Sequence, residues 1–213
     1  MNKYLVEFIG TFFLVLTIGC NVLQGNPVAP IAIGAVLMVM IFAGGHISGA
    51  HFNPAVTLGV TLRGKCTPQD AVAYVLFQLL GAVAAIFTAK YITTDAVAPA
   101  GPDKPFLVGP AFVAELCFTF ALVWVILNVA TSKGTSHNSF YGLAIGFTVL
   151  AGAFSVGGIS GGAFNPAVAI AATIAGLKPF AWNTVWVHLV ADFLGGALAA
   201  VAFKSLSLED AKG

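Results

Sequence analysis

Two Asn-Pro-Ala triplets contain the residues whose type and spacing suggest chemistry in this sequence. Their first residues, Asn53 and Asn165, lie 112 positions apart. The eleven residues around the first triplet, HISGAHFNPAV from 46 to 56, agree at eight positions with GISGGAFNPAV from 158 to 168. Asn followed by Pro favours a helix start, because an Asn side chain caps the first turn and Pro is tolerated at the first helical position. We therefore predict two short helices, each with an Asn amide at its N-terminus that can donate hydrogen bonds to an oxygen.

Two carboxylates repeat at nearly the same spacing. The stretch EFIGTFFLV, which begins at Glu7, agrees at five of nine positions with ELCFTFALV, which begins at Glu115, 108 residues later. Each acid lies within an apolar stretch, where an ionisable group is costly and needs polar partners. The chain is therefore an internal duplication with a period of about 110 residues.

The composition indicates a protein embedded in a lipid bilayer. Of its 213 residues, 59% are hydrophobic and 8% are charged, whereas about a quarter are charged in soluble domains. Six apolar stretches have about the length that a helix needs to cross the hydrocarbon core, and their continuous apolarity argues against barrel strands. We predict an all-α membrane protein whose spanning helices lie near residues 4–24, 28–45, 69–90, 110–130, 139–156 and 180–203.

The duplication and the number of spans together predict an inverted arrangement. Three spanning helices in each repeat, approximately 1–105 and 106–213, make the second repeat enter the membrane from the opposite side. The helical run 55–62 covers only about 12 Å, so the two triplet helices are expected to enter from opposite faces and meet at the midplane. Both repeats then belong to one channel domain.

The segments before the triplets, 44–50 and 157–163, are expected to be extended backbone. Non-helical backbone at this depth survives only inside protein or along a water-filled path. This argument predicts a pore with two helix N-termini at its centre, which repel cations. The predicted pore wall includes the backbone carbonyl groups of Gly49, Ala50, His51, Gly161 and Ala163.

Other function classes find little support in the residues. A net charge of +1 argues against a nucleic-acid partner. No nucleophile–base pair or phosphate-binding loop is present in the sequence, so we expect no enzyme activity and no cofactor. His46 and His51 have no third ligand nearby, so we expect no metal site; His46 is expected to brace the first non-helical segment.

At these residues the sequence resembles the aquaporin and glycerol-facilitator (major intrinsic protein) family. The resemblance covers the whole chain and rests on GHISGAHFNPAVTLG and its second copy. It implies a passive channel for small neutral solutes, assembled as a homotetramer with one pore in each subunit. It also implies that Asn53 and Asn165 line the pore, and that Glu7 and Glu115 accept backbone hydrogen bonds from the two re-entrant segments. The motif residues that follow the asparagines are Pro54, Ala55, Pro166 and Ala167.

One position departs from the family pattern. The family usually places an arginine directly after the second triplet, where this chain has Val168, and the only arginine of the chain is Arg63. Counted from the asparagines, the family's constriction positions fall on Ile33, Ala153, Gly162 and Val168. We therefore expect a wide, apolar filter that passes water and small uncharged solutes such as glycerol, urea or metalloid acids.

Two alternative functions remain open. In the first, the channel is water-selective, because a side chain from the loop 95–110 narrows the filter. In the second, the chain is an ion-coupled secondary transporter, since inverted repeats and broken helices also occur there. Asp192 would then be the coupling acid. Asp192 and His188 lie four residues apart, so they are expected on one helix face, where they can pair with each other.

The distribution of basic residues predicts the orientation. Lys and Arg concentrate on the cytoplasmic side of membrane proteins. If the N-terminus lies inside, six of the nine basic residues are cytoplasmic, namely Lys3, Arg63, Lys65, Lys133, Lys204 and Lys212. We predict a multi-pass protein of the plasma or inner membrane with both termini in the cytoplasm.

Overall fold

Eight α-helices make up the described parts of the chain. The computed structural model describes residues 1–94 and 105–207. Among these residues, six helices are long and apolar enough to cross a membrane, which confirms the six predicted spans. In chain order the helices are α1 (Asn2–Leu23), α2 (Ala29–Ser48), α3 (Pro54–Leu62), α4 (Pro68–Ile92), α5 (Val108–Thr131), α6 (Tyr141–Ser160), α7 (Pro166–Ala175) and α8 (Val185–Leu206).

The short helices α3 and α7 do not span, and each follows a long helix through a non-helical segment. Because the six long helices alternate in direction, α1 begins and α8 ends at the same face. We call this the terminal face, and it also carries residues 132–138. We call the other side the distal face, and it carries the connection 176–184.

Glycines bring the long helices into close contact in equivalent pairs. A Cβ added to Gly81 of α4 would lie 2.5 Å from the carbonyl oxygen of Phe8 in α1. In the second repeat, a Cβ added to Gly195 of α8 would lie 2.6 Å from the carbonyl oxygen of Leu116 in α5. The two helix pairs therefore use the same small-residue packing, which is common in membrane helices.

The helices α2 and α6 cross at a pair of equivalent glycines. A Cβ added to Gly34 would lie 2.7 Å from the carbonyl oxygen of Gly146, and one added to Gly146 would meet the carbonyl oxygen of Gly34. These glycines are 112 positions apart, the same spacing as the two triplets. The local two-fold relation between the repeats therefore passes through this crossing.

The non-helical segments are shorter than the sequence predicted. Residues 44–48 and 157–160 were expected to be extended, but they continue α2 and α6 as helix. The helices end only at Gly49 and Gly161, which adopt left-handed backbone angles and donate their N–H groups to carbonyls four residues earlier. In the first repeat the prediction was wrong because Gly44 serves packing inside the helix, where an added Cβ would lie 2.7 Å from Val6.

Three of the remaining non-helical residues have strained backbone rather than extended backbone. Ala50, Phe52 and Phe164 have φ values of 53°, 51° and 49°, which non-glycine residues rarely adopt. Such strain persists only where the surroundings hold the chain in place. The contacts that hold it are those of the candidate pore.

The crossing of α2 and α6 gives a test of the packing. We expect Gly34→Val to force these helices apart and to lower the free energy of unfolding by about 1–3 kcal/mol, seen as a lower thermal unfolding midpoint in detergent. Gly109→Ala is the control, because a Cβ there would meet nothing within 4 Å. Equal stability of Gly34→Val and the control would contradict this packing.

Candidate pore

Glu7 of α1 holds the first non-helical segment in place. Its Oε1 accepts hydrogen bonds from the Ser48 hydroxyl at 2.7 Å and the His51 backbone N–H at 3.0 Å. Its Oε2 accepts from the Phe52 backbone N–H at 2.7 Å and the Gln78 side-chain amide at 2.8 Å. The carboxyl group is completely buried, and it therefore satisfies backbone donors that water cannot reach.

Glu115 of α5 holds the second segment in the same way. Its Oε1 accepts from the Ser160 hydroxyl at 2.5 Å and from the Ala163 N–H at 3.0 Å. Its Oε2 accepts from the Phe164 N–H at 2.7 Å. Ser48 and Ser160 occupy equivalent positions in the two repeats, and both donate hydrogen bonds to the buried acids.

The two asparagines cap the short helices and also link the repeats. The Asn53 Oδ1 accepts from the Ala55 N–H at 2.8 Å, and its Nδ2 donates to the Phe164 carbonyl at 2.7 Å. The Asn165 Oδ1 accepts from the Ala167 N–H at 3.0 Å, and its Nδ2 donates to the Phe52 carbonyl at 2.9 Å. These reciprocal bonds bring the N-termini of α3 and α7 together.

The residues that follow the asparagines build the helix starts. These residues are buried and do not line the cavity that runs past the asparagines. That cavity is lined by the asparagines themselves and by the residues that follow the triplets. The carbonyl oxygen of Ala55 packs on Gly196, where an added Cβ would approach it to 2.6 Å. The residues concerned are Pro54, Ala55, Pro166 and Ala167.

A cavity of about 200 Å³ runs past both asparagines. The four constriction positions predicted from the family pattern all lie along its wall: Ile33, Ala153, Gly162 and Val168. The predicted carbonyl-bearing residues Ala50, His51, Gly161 and Ala163 also line it. The wall is otherwise almost entirely apolar, with side chains such as Leu14, Leu37 and Ile145.

A second cavity of about 580 Å³ opens at the terminal face. Gly49 lines this cavity rather than the first, while Ala50 belongs to both. The two cavities also share Ile41, Ile126 and Ile145 along their walls. The two cavities are therefore adjacent, and we call the route through both of them the passage.

A turn after α7 reaches the passage at the distal face, and sequence reasoning missed it. The turn closes with a hydrogen bond from the Phe180 N–H to the Leu177 carbonyl at 2.8 Å. Leu177, Lys178 and Phe180 all line the cavity. A Cβ added to Gly161 would lie 2.5 Å from the Phe180 ring, so the ring packs directly on the second segment. Gly176 and the Lys178-Pro179 pair are typical of a turn, but their spacing in the sequence does not indicate that the turn lies beside Val168.

The sequence allows His188 to pair with Asp192, but the two side chains do not bond to each other. The His188 Nε2 instead lies 2.8 Å from the Ser160 carbonyl oxygen. The Asp192 Oδ1 accepts a hydrogen bond from the Thr119 hydroxyl at 2.9 Å. Both residues are completely buried and lie on the same side of α8, but each finds its partner on a neighbouring element. Neither of them lines the cavity.

The structure corrects the role expected for His46 and describes only part of the loop 95–110. His46 does not brace the first segment, because its side chain is exposed and lines the wide cavity at the terminal face. Of the loop 95–110, residues 95–104 lie outside the described part of the chain. Phe106 from this loop stacks beside the His188 ring, with ring centroids 5.9 Å apart, and is not part of the cavity wall.

The single arginine does not belong to the cavity wall. Arg63 ends α3 near the terminal face, and its guanidinium group lies 5.0 Å from the centroid of the Phe203 ring. Among the described residues that line the cavity with the asparagines, Lys178 is the one with a charged side chain.

Comparison with known proteins supplies the family context. A family model described as "Major intrinsic protein" matches residues 1–203. The chain is 36% identical over 219 residues to a Lactiplantibacillus plantarum protein named glycerol uptake facilitator protein-like 6, covering 99% of this chain and all of that one. It is 34% identical over 222 residues to aquaporin NIP1-4 of Oryza sativa subsp. japonica, covering 98% of this chain and 78% of that one.

A solved structure shares the fold. The X-ray structure of the aquaglyceroporin from Plasmodium falciparum superposes with a TM-score of 0.83. The alignment covers 99% of this chain and 98% of that one, at 23% sequence identity. The arrangement of six spanning helices and two short helices is therefore that of a known channel fold.

The buried acid network makes a prediction about stability. We expect Glu7→Gln to lower the free energy of unfolding by about 1–3 kcal/mol, because one acceptor oxygen becomes an amino group that faces N–H donors. The thermal unfolding midpoint in detergent measures this loss. Leu5→Ala is the control on the same helix, where the side chain is 47% exposed. An unchanged midpoint for Glu7→Gln would show that the carboxyl is dispensable.

Proposed function

Because the chain belongs to the major intrinsic protein family, whose members are passive channels, we propose that it conducts water and small uncharged solutes through the passage beside Asn53 and Asn165. The chain is a multi-pass membrane channel and not an enzyme. The relatives named for water and for glycerol transport support a neutral solute of this class, such as glycerol, urea or a metalloid acid.

The observation that carries the proposal is the chemistry of the passage wall near its distal end. Ile33, Ala153, Gly162 and Val168 form a filter without a charge, an aromatic ring or a side-chain donor. Two of these residues have minimal side chains, which favours a wide opening. Entry into such an apolar filter costs less free energy for a solute with a carbon skeleton than for one that must keep every hydrogen bond to water.

The polar side of the passage complements this wall. The N–H groups of His51, Phe52, Ala163 and Phe164 all point to the buried acids. We therefore assign the carbonyl groups of Gly49, Ala50, His51, Gly161 and Ala163 to the solute path. Each asparagine amide uses one N–H in the bond between repeats and has a second one to donate to a passing oxygen.

Cation exclusion then rests on the short helices. The N-termini of α3 and α7 meet at the asparagines, and both carry the positive end of a helix dipole. Two such ends disfavour a cation at the centre of the passage but leave a neutral solute unaffected.

A water-selective channel is the second candidate function. It is supported by the turn 177–180, because Phe180 supplies an aromatic ring and Lys178 a cation at the distal end of the passage. This turn is the part of the described chain that supplies these groups, and residues 95–104 of the loop 95–110 lie outside the described residues. The transporter alternative loses support, because its coupling acid, Asp192, is buried away from the passage.

We also propose the wider context of the channel. Both repeats, approximately 1–105 and 106–213, form one channel domain, and four copies assemble as a homotetramer with one pore each. The terminal face lies in the cytoplasm of a cell with the protein in its plasma or inner membrane, since most basic residues belong to this side. Light scattering coupled to size exclusion in detergent measures the assembly.

Flux in liposomes tests the proposed function. Stopped-flow light scattering follows shrinkage in an impermeant sugar, and then reswelling in glycerol or urea. Fast reswelling that rises linearly with the solute gradient is the expected result. Fast water flux without solute entry would support the water-selective alternative, and in that case Phe180→Ala is expected to admit glycerol. Saturable uptake that depends on an ion gradient would indicate a transporter.

Val168 provides the sharpest prediction about selectivity. We expect Val168→Arg to lower glycerol permeability about tenfold or more. A long charged side chain narrows the filter, and a passing solute must displace water from the charged group at a cost in free energy. Val168→Met is the matched control for length without charge. Glycerol permeability that is the same in the arginine variant and the native channel would place the constriction elsewhere.

A further inference from the structure

The two buried acid networks differ at one equivalent position. In the first repeat, Gln78 lies three residues before Gly81, and its amide donates to Glu7 at 2.8 Å. In the second repeat, Asp192 lies three residues before Gly195. Its Oδ1 accepts a hydrogen bond from Thr119, one helical turn after Glu115 in α5, which places the Asp192 carboxyl beside that of Glu115. A permanent hydrogen-bond donor in one repeat is thus replaced by a carboxyl group in the other.

The contact between Asp192 and Glu115 constrains their charge. Both side chains are 0% exposed, and both lie within membrane-spanning helices. Two ionised carboxylates in contact repel each other strongly where water cannot screen them, so such pairs hold a proton between them. The neutral member can then donate the hydrogen bond that Gln78 donates in the first repeat.

The surrounding donors decide which acid holds the proton. Glu115 accepts hydrogen bonds from the Ser160 hydroxyl and from two backbone N–H groups. Such donors stabilise the ionised form of a carboxyl. Asp192 accepts a hydrogen bond from Thr119 at one oxygen, and its Oδ2 has no hydrogen-bond partner among the described residues. The proton of this pair therefore belongs on Asp192.

We propose that Asp192 is a protonated carboxylic acid that donates a hydrogen bond to Glu115 and thereby positions the second pore segment. Glu115 binds the N–H groups of Ala163 and Phe164, which lie between the filter residue Gly162 and the Asn165 cap. Asp192 is thus a positioning residue that acts on the passage through Glu115.

Infrared spectroscopy of the channel in lipid bilayers tests the protonation directly. The native channel at neutral pH is expected to show the carbonyl band of a protonated carboxylic acid, and Asp192→Asn is expected to lack it. A native spectrum without this band, or a band that persists in Asp192→Asn, would overturn the proposal. This measurement needs no transported solute, so it stands even if the proposed function fails.

Flux measurements test the positioning role, and this part rests on the proposed function. Asp192→Asn keeps a donor of the same length and is expected to retain the native ratio of glycerol to water permeability. Asp192→Leu removes the donor but keeps the same branched arrangement of heavy atoms, and its glycerol permeability is expected to fall about tenfold. Gln78→Leu is the matched variant in the first repeat, with a change in the same direction. Native flux in Asp192→Leu would show that the side chain only fills space.

If Asp192→Leu does not fold, the asparagine variant still decides the question. A changed permeability ratio in Asp192→Asn would mean that a neutral donor is not what Glu115 requires, and it would contradict the proposal. If the native channel passes water alone, the same comparison is made on water permeability and the proposed solute class fails separately.

Discussion

The hydrogen bonds from the two non-helical segments to buried carboxyl groups are the constraint on which the other features depend. A backbone that leaves the helix inside a membrane exposes donors and acceptors that lipid cannot satisfy. Glu7 and Glu115 bind the donors on one side of each segment. In the channel that we propose, the acceptors on the other side face the water-filled path. The acids would then create the polar half of the passage without contacting it.

The same bonds fix the centre of the molecule. Once residues 51–52 and 163–164 are held, the carbonyls of Phe52 and Phe164 lie where the asparagine amides of the opposite repeat can bind them. Each repeat therefore completes the other. The crossing at Gly34 and Gly146 follows the same two-fold relation, since each glycine packs on the carbonyl of its equivalent. The repeats preserve this geometry with different chemistry at several positions.

The features that sequence could predict are those set by local patterns. Apolar length predicts the six spans, and the Asn-Pro pairs predict where α3 and α7 begin, because capping depends on neighbouring residues alone. The errors arise where partners come from elsewhere in the chain. Gly44 looks like a helix breaker, but its lack of a side chain lets α2 pack on Val6, where an added Cβ would lie 2.7 Å away.

Spacing within one helix likewise could not identify the partners of His188 and Asp192. Their separation of four residues fixes their side of α8 but not whether they bond to each other or to α5 and α6. The repeat register was the better guide. At the separation of 114 that pairs Gln78 with Asp192, Tyr74 corresponds to His188, and both bind the carbonyl of an equivalent serine. Asp192 occupies the position equivalent to Gln78 but carries a carboxyl group instead of an amide. A carboxyl that must act as a donor there can do so only while it holds a proton.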